Sequence, residues 1–318
     1  MLVDLPLEEL WKYKPTQNKE EDFDSFWDET LAISKKEALN VELQKINHYV
    51  KNINTYKLFY DGFGGARIGG FYLTPKRSGK VPAIVWFPGY GDNKNEVSFY
   101  LSWVLLGYAV VAIDIRGQLG ESIDNKAYPG PSAVGYMTKG VTDHMDYYYR
   151  GVYMDCVRIL DFLEARKEID MSRIGIAGAS QGGGLALAVS ALDDRPRFTL
   201  SEVPYLCHFQ RAIEWAEDFK PITYLEFTTL IKRFPEYAKK MYQTLSYFDN
   251  LNLCDRIKNR TVISVAMKDT VCPPSTNFAI YNNLTCDKDI DILEYWDHSW
   301  ETVLKYEEKR LEHLIKNI

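Results

Sequence analysis

A serine hydroxyl attacks a carbonyl only when a neighbouring base takes its proton, and an imidazole serves as that base when a carboxylate holds its tautomer. The chain offers one serine in a setting suited to this chemistry, Gly178-Ala179-Ser180-Gln181-Gly182-Gly183. The apolar run Arg173-Ile174-Gly175-Ile176-Ala177 before it reads as a buried strand, and Gly184-Leu185-Ala186-Leu187-Ala188-Val189 after it reads as a helix. A turn that tight excludes bulky side chains two positions before and two after the serine. Gly178 and Gly182 meet the demand and leave Ser180 pointing out of the turn. The bare Gly-x-Ser-x-Gly pattern arises by chance in roughly a tenth of chains of this length, so its context must carry the claim.

That context begins with the partners. Where such a serine turn sits in a parallel sheet, the acid and then the histidine follow it in the chain, each just beyond a strand. Of the three later histidines, His208 comes before any further strand could supply the acid, and His313 falls in a terminal helix where a solvated face is the expected setting. His298 follows an apolar run at 290–295 and precedes a helix, so it is the one correctly placed. Asp269 comes three residues after the run Val262-Ile263-Ser264-Val265-Ala266 and lies between Ser180 and His298; Asp297 is the weaker rival, because adjacent residues rarely face each other. An oxyanion needs backbone N–H donors, one from Gln181 at the start of the helix and one from an early loop. Pro88-Gly89-Tyr90-Gly91, after the run at 81–87, supplies that loop, and the N–H of Tyr90 is the expected donor. A plain tight turn is the alternative there. His48 and His144 precede the serine and read as structural.

The elements that must hold these groups can be followed along the chain. Phe23, Phe26, Trp27 and Leu31 fall at helical spacing, which predicts a helix packed on the core or against a second subunit. Runs at 41–51, 55–60 and 66–73 read as a strand meander. Strands at 81–87, 109–113 and near Ile174 then alternate with helices at about 99–106 and 142–166, an order that implies a parallel sheet with helices on both faces. A strand at 198–203 follows the serine helix. Residues 205–245 break the pattern with Trp215, Phe219, Tyr224, Phe227, Phe234 and Tyr242 and read as a helical cap, or else as ordinary surface helices. The alternation resumes with a strand at 261–267, a helix at 275–284, a strand at 290–295 and a last helix from 301. The expected architecture is α/β, an α/β-hydrolase fold with a doubly wound, mostly parallel sheet. An N-terminal helical extension (1–40) and antiparallel strands precede it, and the cap is inserted into a single domain spanning 1–318. Loops at the carboxyl ends of the strands should build the site.

Composition narrows the partners. The net charge is −6 with no Lys/Arg-rich run, which argues against nucleic acid and anionic membranes. The five cysteines are scattered without a C-x-x-C pair, so neither a disulfide framework nor a zinc site is indicated. There is no H-E-x-x-H and no Gly-x-Gly-x-x-Gly set to receive phosphate, so no metal and no cofactor is expected. No apolar run approaches the ~20 residues of a membrane span. The N-terminus, Met1-Leu2-Val3-Asp4-Leu5-Pro6, lacks the basic-then-apolar pattern of a signal peptide, and a soluble, cytoplasmic protein is expected.

On these residues the chain resembles the acetyl xylan esterase / cephalosporin C deacetylase family of α/β-hydrolases. The likeness runs over nearly the whole chain, through Glu21-Asp22-Phe23-Asp24-Ser25-Phe26-Trp27, Gly65-Ala66-Arg67-Ile68, Arg116-Gly117-Gln118 and Tyr148-Tyr149-Arg150-Gly151-Val152-Tyr153-Met154-Asp155. It is most specific at Gly178-Ala179-Ser180-Gln181-Gly182-Gly183 and Asp269-Thr270-Val271-Cys272-Pro273-Pro274-Ser275-Thr276. The resemblance implies a Ser180–His298–Asp269 triad, Tyr90 and Gln181 as oxyanion donors, and removal of acetyl groups from small sugars and cephalosporins. It also implies a cytoplasmic homo-hexamer, a dimer of trimers with sites facing an internal chamber, and Arg116 and Gln118 bracing loops. Two positions depart from the family pattern: Pro88-Gly89-Tyr90 stands where the family has His-Gly-Tyr, and Asp297-His298-Ser299 where it has Gly-His-Glu. Both lie beside the chemistry, and Glu301 is a candidate to replace the missing acidic neighbour.

Tyr205 and Trp215, in the cap, are expected to shape a small acyl pocket behind Ser180. A general carboxylesterase, thioesterase or peptidase of the same fold is the competing enzyme class, although a prolyl-type peptidase would need an extra domain that this length cannot hold. A non-catalytic binding homologue is the remaining alternative.

Overall fold

The computed structural model of the chain describes residues 3–318. In chain order its strands are Glu42–Lys45 (β1), Ile53–Asp61 (β2), Arg67–Pro75 (β3), Val81–Phe87 (β4), Ala109–Ile113 (β5), Ile169–Ala179 (β6), Phe198–Glu202 (β7), Arg260–Ala266 (β8) and Lys288–Leu293 (β9). They form one sheet in the order β1-β2-β3-β5-β4-β6-β7-β8-β9. β1 to β3 are antiparallel and β3 joins β5 antiparallel; from β5 to β9 every pairing is parallel. This is the α/β-hydrolase fold with its antiparallel extension.

The continuous apolar runs of β4 and β5 have a simple cause. Every residue of both strands is buried, because helices cover the sheet on both sides and leave no wet face that would need alternation. On one side pack the helices Tyr148–Glu164 and Gln181–Leu192 and the N-terminal helix Phe23–Lys36; on the other, Trp103, Tyr306 and Leu314 pack over Trp86 and Val110. The N-terminal helix buries Phe23, Phe26 and Trp27 within its own chain. Trp27 donates its indole N–H to the Tyr247 carbonyl at 2.9 Å and stacks on Tyr153. The Phe23, Phe26 and Trp27 side of the helix thus packs on the core.

Several boundaries differ from the sequence reading. The run at 41–51 holds a strand only over β1; Asn47 and His48 then begin a loop, in which the His48 ring accepts the Val50 N–H. The helix expected from 142 begins at Tyr148, since turns at Gly140, Asp143 and Asp146 occupy the preceding stretch. β6 starts at Ile169, ahead of an irregular register between Val81 and Ala83. β9 begins and ends two residues earlier than expected. Between β7 and β8 the cap consists of the helices Phe209–Phe219, Ile222–Arg233 and Ala238–Phe248, whose aromatic residues Phe209, Tyr224, Phe227 and Phe248 are buried.

One buried ion pair ties the last helix to the strand beneath the serine turn. Arg310, on Glu307–Asn317, donates to both carboxylate oxygens of Glu202 at the end of β7, at 2.6 and 2.8 Å, and the Glu202 carbonyl accepts the Ser180 N–H at 2.9 Å. Both side chains are buried. Removing one member of such a pair strands the other charge in low dielectric, so Arg310→Ala should cost about 3–5 kcal/mol. Urea denaturation followed by tryptophan fluorescence would measure this, and a loss below about 1 kcal/mol would show the pair to be solvated.

Candidate active site

The turn at Ser180 is as tight as the glycines predict. A Cβ on Gly178 would lie 2.4 Å from the Gly182 carbonyl carbon, and one on Gly182 would lie 2.0 Å from the Phe87 carbonyl oxygen. Ser180 itself adopts φ 56° and ψ −120°, a conformation L-residues avoid unless their surroundings impose it. Three hydrogen bonds impose it: Ser180 N–H to the Glu202 carbonyl, and the N–H groups of Tyr205 and Gly184 to the Ser180 carbonyl.

Ser180 Oγ lies 2.9 Å from His298 Nε2, and His298 Nδ1 lies 2.6 Å from Asp269 Oδ2. Asp269 sits just past β8 and is buried; its second oxygen accepts the N–H groups of Val271 at 2.8 Å and Cys272 at 2.7 Å, which fixes the carboxylate plane. Burial opposes a charge on His298, but the adjoining Asp269 carboxylate more than offsets it, with Cys272 adding to the effect, and the imidazole pKa stands well above its ordinary value. The Asp269 oxygen, Cys272 sulfur and His298 nitrogen lie within 4.8 Å of one another, a donor set of metal-binding type. The Asp269 oxygen and both His298 nitrogens are already engaged in the hydrogen-bonded chain to Ser180.

The loop after β4 is held from below by a side chain. Gln181 Nε2 donates to the Gly89 carbonyl at 3.1 Å. In a trans peptide the C=O of Gly89 and the N–H of Tyr90 point opposite ways, so fixing that carbonyl aims the Tyr90 N–H. Gln181 in turn forms a reciprocal amide pair with Gln118 at 3.0 and 3.2 Å and accepts the Tyr149 hydroxyl at 2.7 Å, while Gln118 accepts the Gly91 N–H at 2.8 Å. Arg116 is anchored further back, with two 2.6 Å bonds to the buried Asp155 and one of 2.7 Å to the Phe63 carbonyl. The Arg-Gly-Gln segment therefore braces loops.

A cavity of about 250 Å³ opens beside Ser180 and His298, walled by Tyr90, Val203, Thr223 and Val271 and extending past Trp86, Asp92 and Asn95 to Trp300 and Val303. Pro88 lies in its wall. A separate hollow of about 290 Å³ at Asp291, Trp296 and Lys305 contains none of the groups around Ser180.

Ser180, His298, Asp269, Tyr90 and Gln181 are brought together; Tyr205 and Trp215 are not brought into the cavity. Tyr205 is buried beneath the turn, because its own N–H bonds the Ser180 carbonyl, and its ring packs between Tyr90 and Tyr224. Trp215 stacks on Phe219 and donates to the Thr270 carbonyl at 3.3 Å, bracing the loop that carries Asp269. His313 is also corrected: its Nε2 lies 2.6 Å from Asp291 Oδ2 in a part-buried pair, not on a solvated face. The Asp297 carboxylate accepts the Ser299 N–H at 2.9 Å, while the carboxylate partner of the imidazole is Asp269. The sequence reading did not single out Thr223, Trp300 or Glu226; no spacing marks them, since the cap and the last loop reach the site only through tertiary packing.

The sheet order and the placing of serine, acid and histidine at strand ends define a serine-type hydrolase of the α/β-hydrolase class. Within that class the chain belongs to the acetyl xylan esterase (AXE1) family, whose model matches residues 1–317. It is similar to the acetyl xylan esterase from Paenibacillus sp. R4, with 39% identity and a TM-score of 0.94 over 99% of this chain and 100% of that one. Acetyl xylan esterase 1 from Thermoanaerobacterium sp. JW/SL YS485 is 34% identical with a TM-score of 0.92, over 98% and 99% of the two chains. Acetyl esterase Axe7A of Xylanibacter ruminicola is 28% identical over 91% of this chain, which spans 65% of that relative's length.

The raised His298 pKa gives a signed expectation. A histidine that serves as the base must be neutral to take the serine proton, so, with His298 in that role, kcat/KM for p-nitrophenyl acetate should rise with pH on the alkaline side of the ordinary value of 6.5. Asp269→Asn removes the raising charge, so it should move this limb to lower pH while cutting kcat by on the order of 10⁴. A limb that stays in place would separate Asp269 from the titrating group.

Proposed function

We propose that the chain is a serine carboxylesterase that removes acetyl groups from small substrates such as acetylated xylo-oligosaccharides, and that the site also accepts the acetyl ester of cephalosporin C. The observation that carries this reading is the unbroken chain of hydrogen bonds from Ser180 Oγ through His298 to Asp269, at 2.9 and 2.6 Å, on a strained turn that opens into the cavity. Ser180 is the nucleophile, His298 the base and then the acid, and Asp269 the group that holds the ring.

In the first half-reaction Ser180 Oγ bonds to the acetyl carbonyl carbon as its proton passes to His298 Nε2. The carbonyl oxygen takes the negative charge and is held by the N–H groups of Tyr90 and Gln181. Collapse breaks the bond to the sugar oxygen, which leaves with the proton from His298, and acetyl-Ser180 remains. Water then repeats the sequence, with His298 taking its proton, and releases acetate.

The reading extends to a chain that forms one folding unit over 1–318 and works in the cytoplasm as a hexamer. The family resemblance supports the assembly, and Leu119, Ile123 and Val134, exposed on the loops after β5, are apolar surface available to it. The sedimentation mass should be near six times the 36.8 kDa of one chain; a mass of one chain would remove the chamber.

On p-nitrophenyl esters, acetyl should be preferred over butyryl by about tenfold or more in kcat/KM, with octanoyl barely turned over. Ser180→Ala should lower kcat by about 10⁶. A maximum at butyryl or longer would favour a general carboxylesterase or thioesterase, and full activity in Ser180→Ala would remove the assigned nucleophile.

A further inference from the structure

Tyr90 faces two ways. Its backbone N–H serves the oxyanion, while its side chain leaves the loop and enters the cap. There the phenol oxygen accepts the Tyr136 N–H at 2.7 Å and donates its own proton to Glu226, whose other carboxylate oxygen accepts the Met137 N–H at 2.9 Å. Glu226 belongs to the cap helix Ile222–Arg233 and is buried, and burial pushes its pKa up to about 7. The loop before Met137 closes round it: at Gly135, where φ is +124°, a Cβ would fall 2.0 Å from Glu226 Oε1. A carboxylate enclosed like this loses its hydration and depends on the donors aimed at it.

The same helix reaches the reacting groups by a second route. Thr223, one turn before Glu226 and on the same side, lines the cavity beside Ser180. The cap helix therefore supplies both part of the pocket wall and the distal anchor of the oxyanion loop. Gln181 grips that loop at Gly89 from the serine side, and Glu226 grips it at the Tyr90 phenol from the cap side.

We propose that Glu226 is a positioning residue for the esterase reaction, holding the Tyr90 phenol so that the Tyr90 N–H stays aimed at the oxyanion and the cap's placement is coupled to transition-state stabilisation. The inference rests on the esterase reading. Glu226 touches no reacting atom, so its loss acts through Tyr90. An oxyanion donor interacts far more strongly with the developing charge than with the ground-state carbonyl, so the effect falls on kcat and not on KM.

The test is a double-mutant cycle on the full chain with p-nitrophenyl acetate. Glu226→Ala and Tyr90→Phe should each lower kcat by about tenfold or more with KM within about threefold. Because both break the same bond, the double variant should fall within about twofold of the worse single one. Glu226→Gln, which keeps a hydrogen-bonding group for the phenol, should recover most of the activity lost in Glu226→Ala; where Glu226→Ala does not fold, Tyr90→Phe, which breaks the same bond and leaves the carboxylate in place, carries the kcat and KM comparison alone. Losses that multiply, a rise in KM at constant kcat, or no loss in either single variant would overturn the proposal while leaving the esterase reading intact. A wild-type chain that does not cleave p-nitrophenyl acetate overturns the esterase reading and this inference with it.

Discussion

The site depends on how closely β6, the helix after it and the end of β4 approach one another. With glycine at 178 and 182, the first turn of the helix lies against the Phe87 carbonyl, where a single Cβ would need space that the backbone already fills. That contact puts the helix N-terminus, with its unpaired N–H groups, beside the loop that leaves β4. At the same turn Ser180, held by three backbone hydrogen bonds, takes its positive-φ conformation. Loosening the contact would separate Ser180 from the N–H groups of Tyr90 and Gln181, the proposed nucleophile from its proposed oxyanion donors. Glycine serves here by occupying no volume.

Around this contact the chain builds a buried polar scaffold rather than an apolar one. Asp155 and Arg116 anchor it, Tyr148 and Tyr149 continue it, and the Gln118–Gln181 amide pair delivers it to the loop that carries Tyr90. Such a network is stabilising only when its members are all satisfied, so one substitution within it is felt at the far end. This explains why Arg116, well behind the cavity, belongs to the same structure as Tyr90. The two departures from the family pattern fall outside the scaffold. Pro88 is a wall residue, and the loop after His298 is fastened by the Asp297 carboxylate to Ser299 N–H and by the Thr302 hydroxyl to the Asp297 carbonyl.

Much of this was legible in the sequence. Continuous apolar runs gave β4, β5, β6 and β8, because strands buried on both faces leave an unambiguous mark. Chain order then picked His298 over His208 and His313, and Asp269 over Asp297, and the structure brings Ser180, His298 and Asp269 within hydrogen-bonding distance. What could not be read depends on side chains meeting across long stretches of chain. Tyr205 and Trp215 stood out as cap aromatics, yet period and composition say only that they are buried, not which surface they line. Glu226 had no signal at all, since an acid between Leu225 and Phe227 on an amphipathic helix ordinarily faces water. The strand ends at β1 and β9 slipped because polar turn residues, not apolar periodicity, set where pairing stops.

The central claim is that acetyl transfer passes through Ser180. Acid-quenching the protein during turnover of p-nitrophenyl acetate, then digesting it and mapping the peptides by mass spectrometry, tests this most directly. The account predicts one added acetyl group on the peptide that carries Ser180, gained during the burst and lost once substrate is consumed. Rapid turnover with the acetyl group on another residue, or with no acylated peptide in the burst phase, would contradict it.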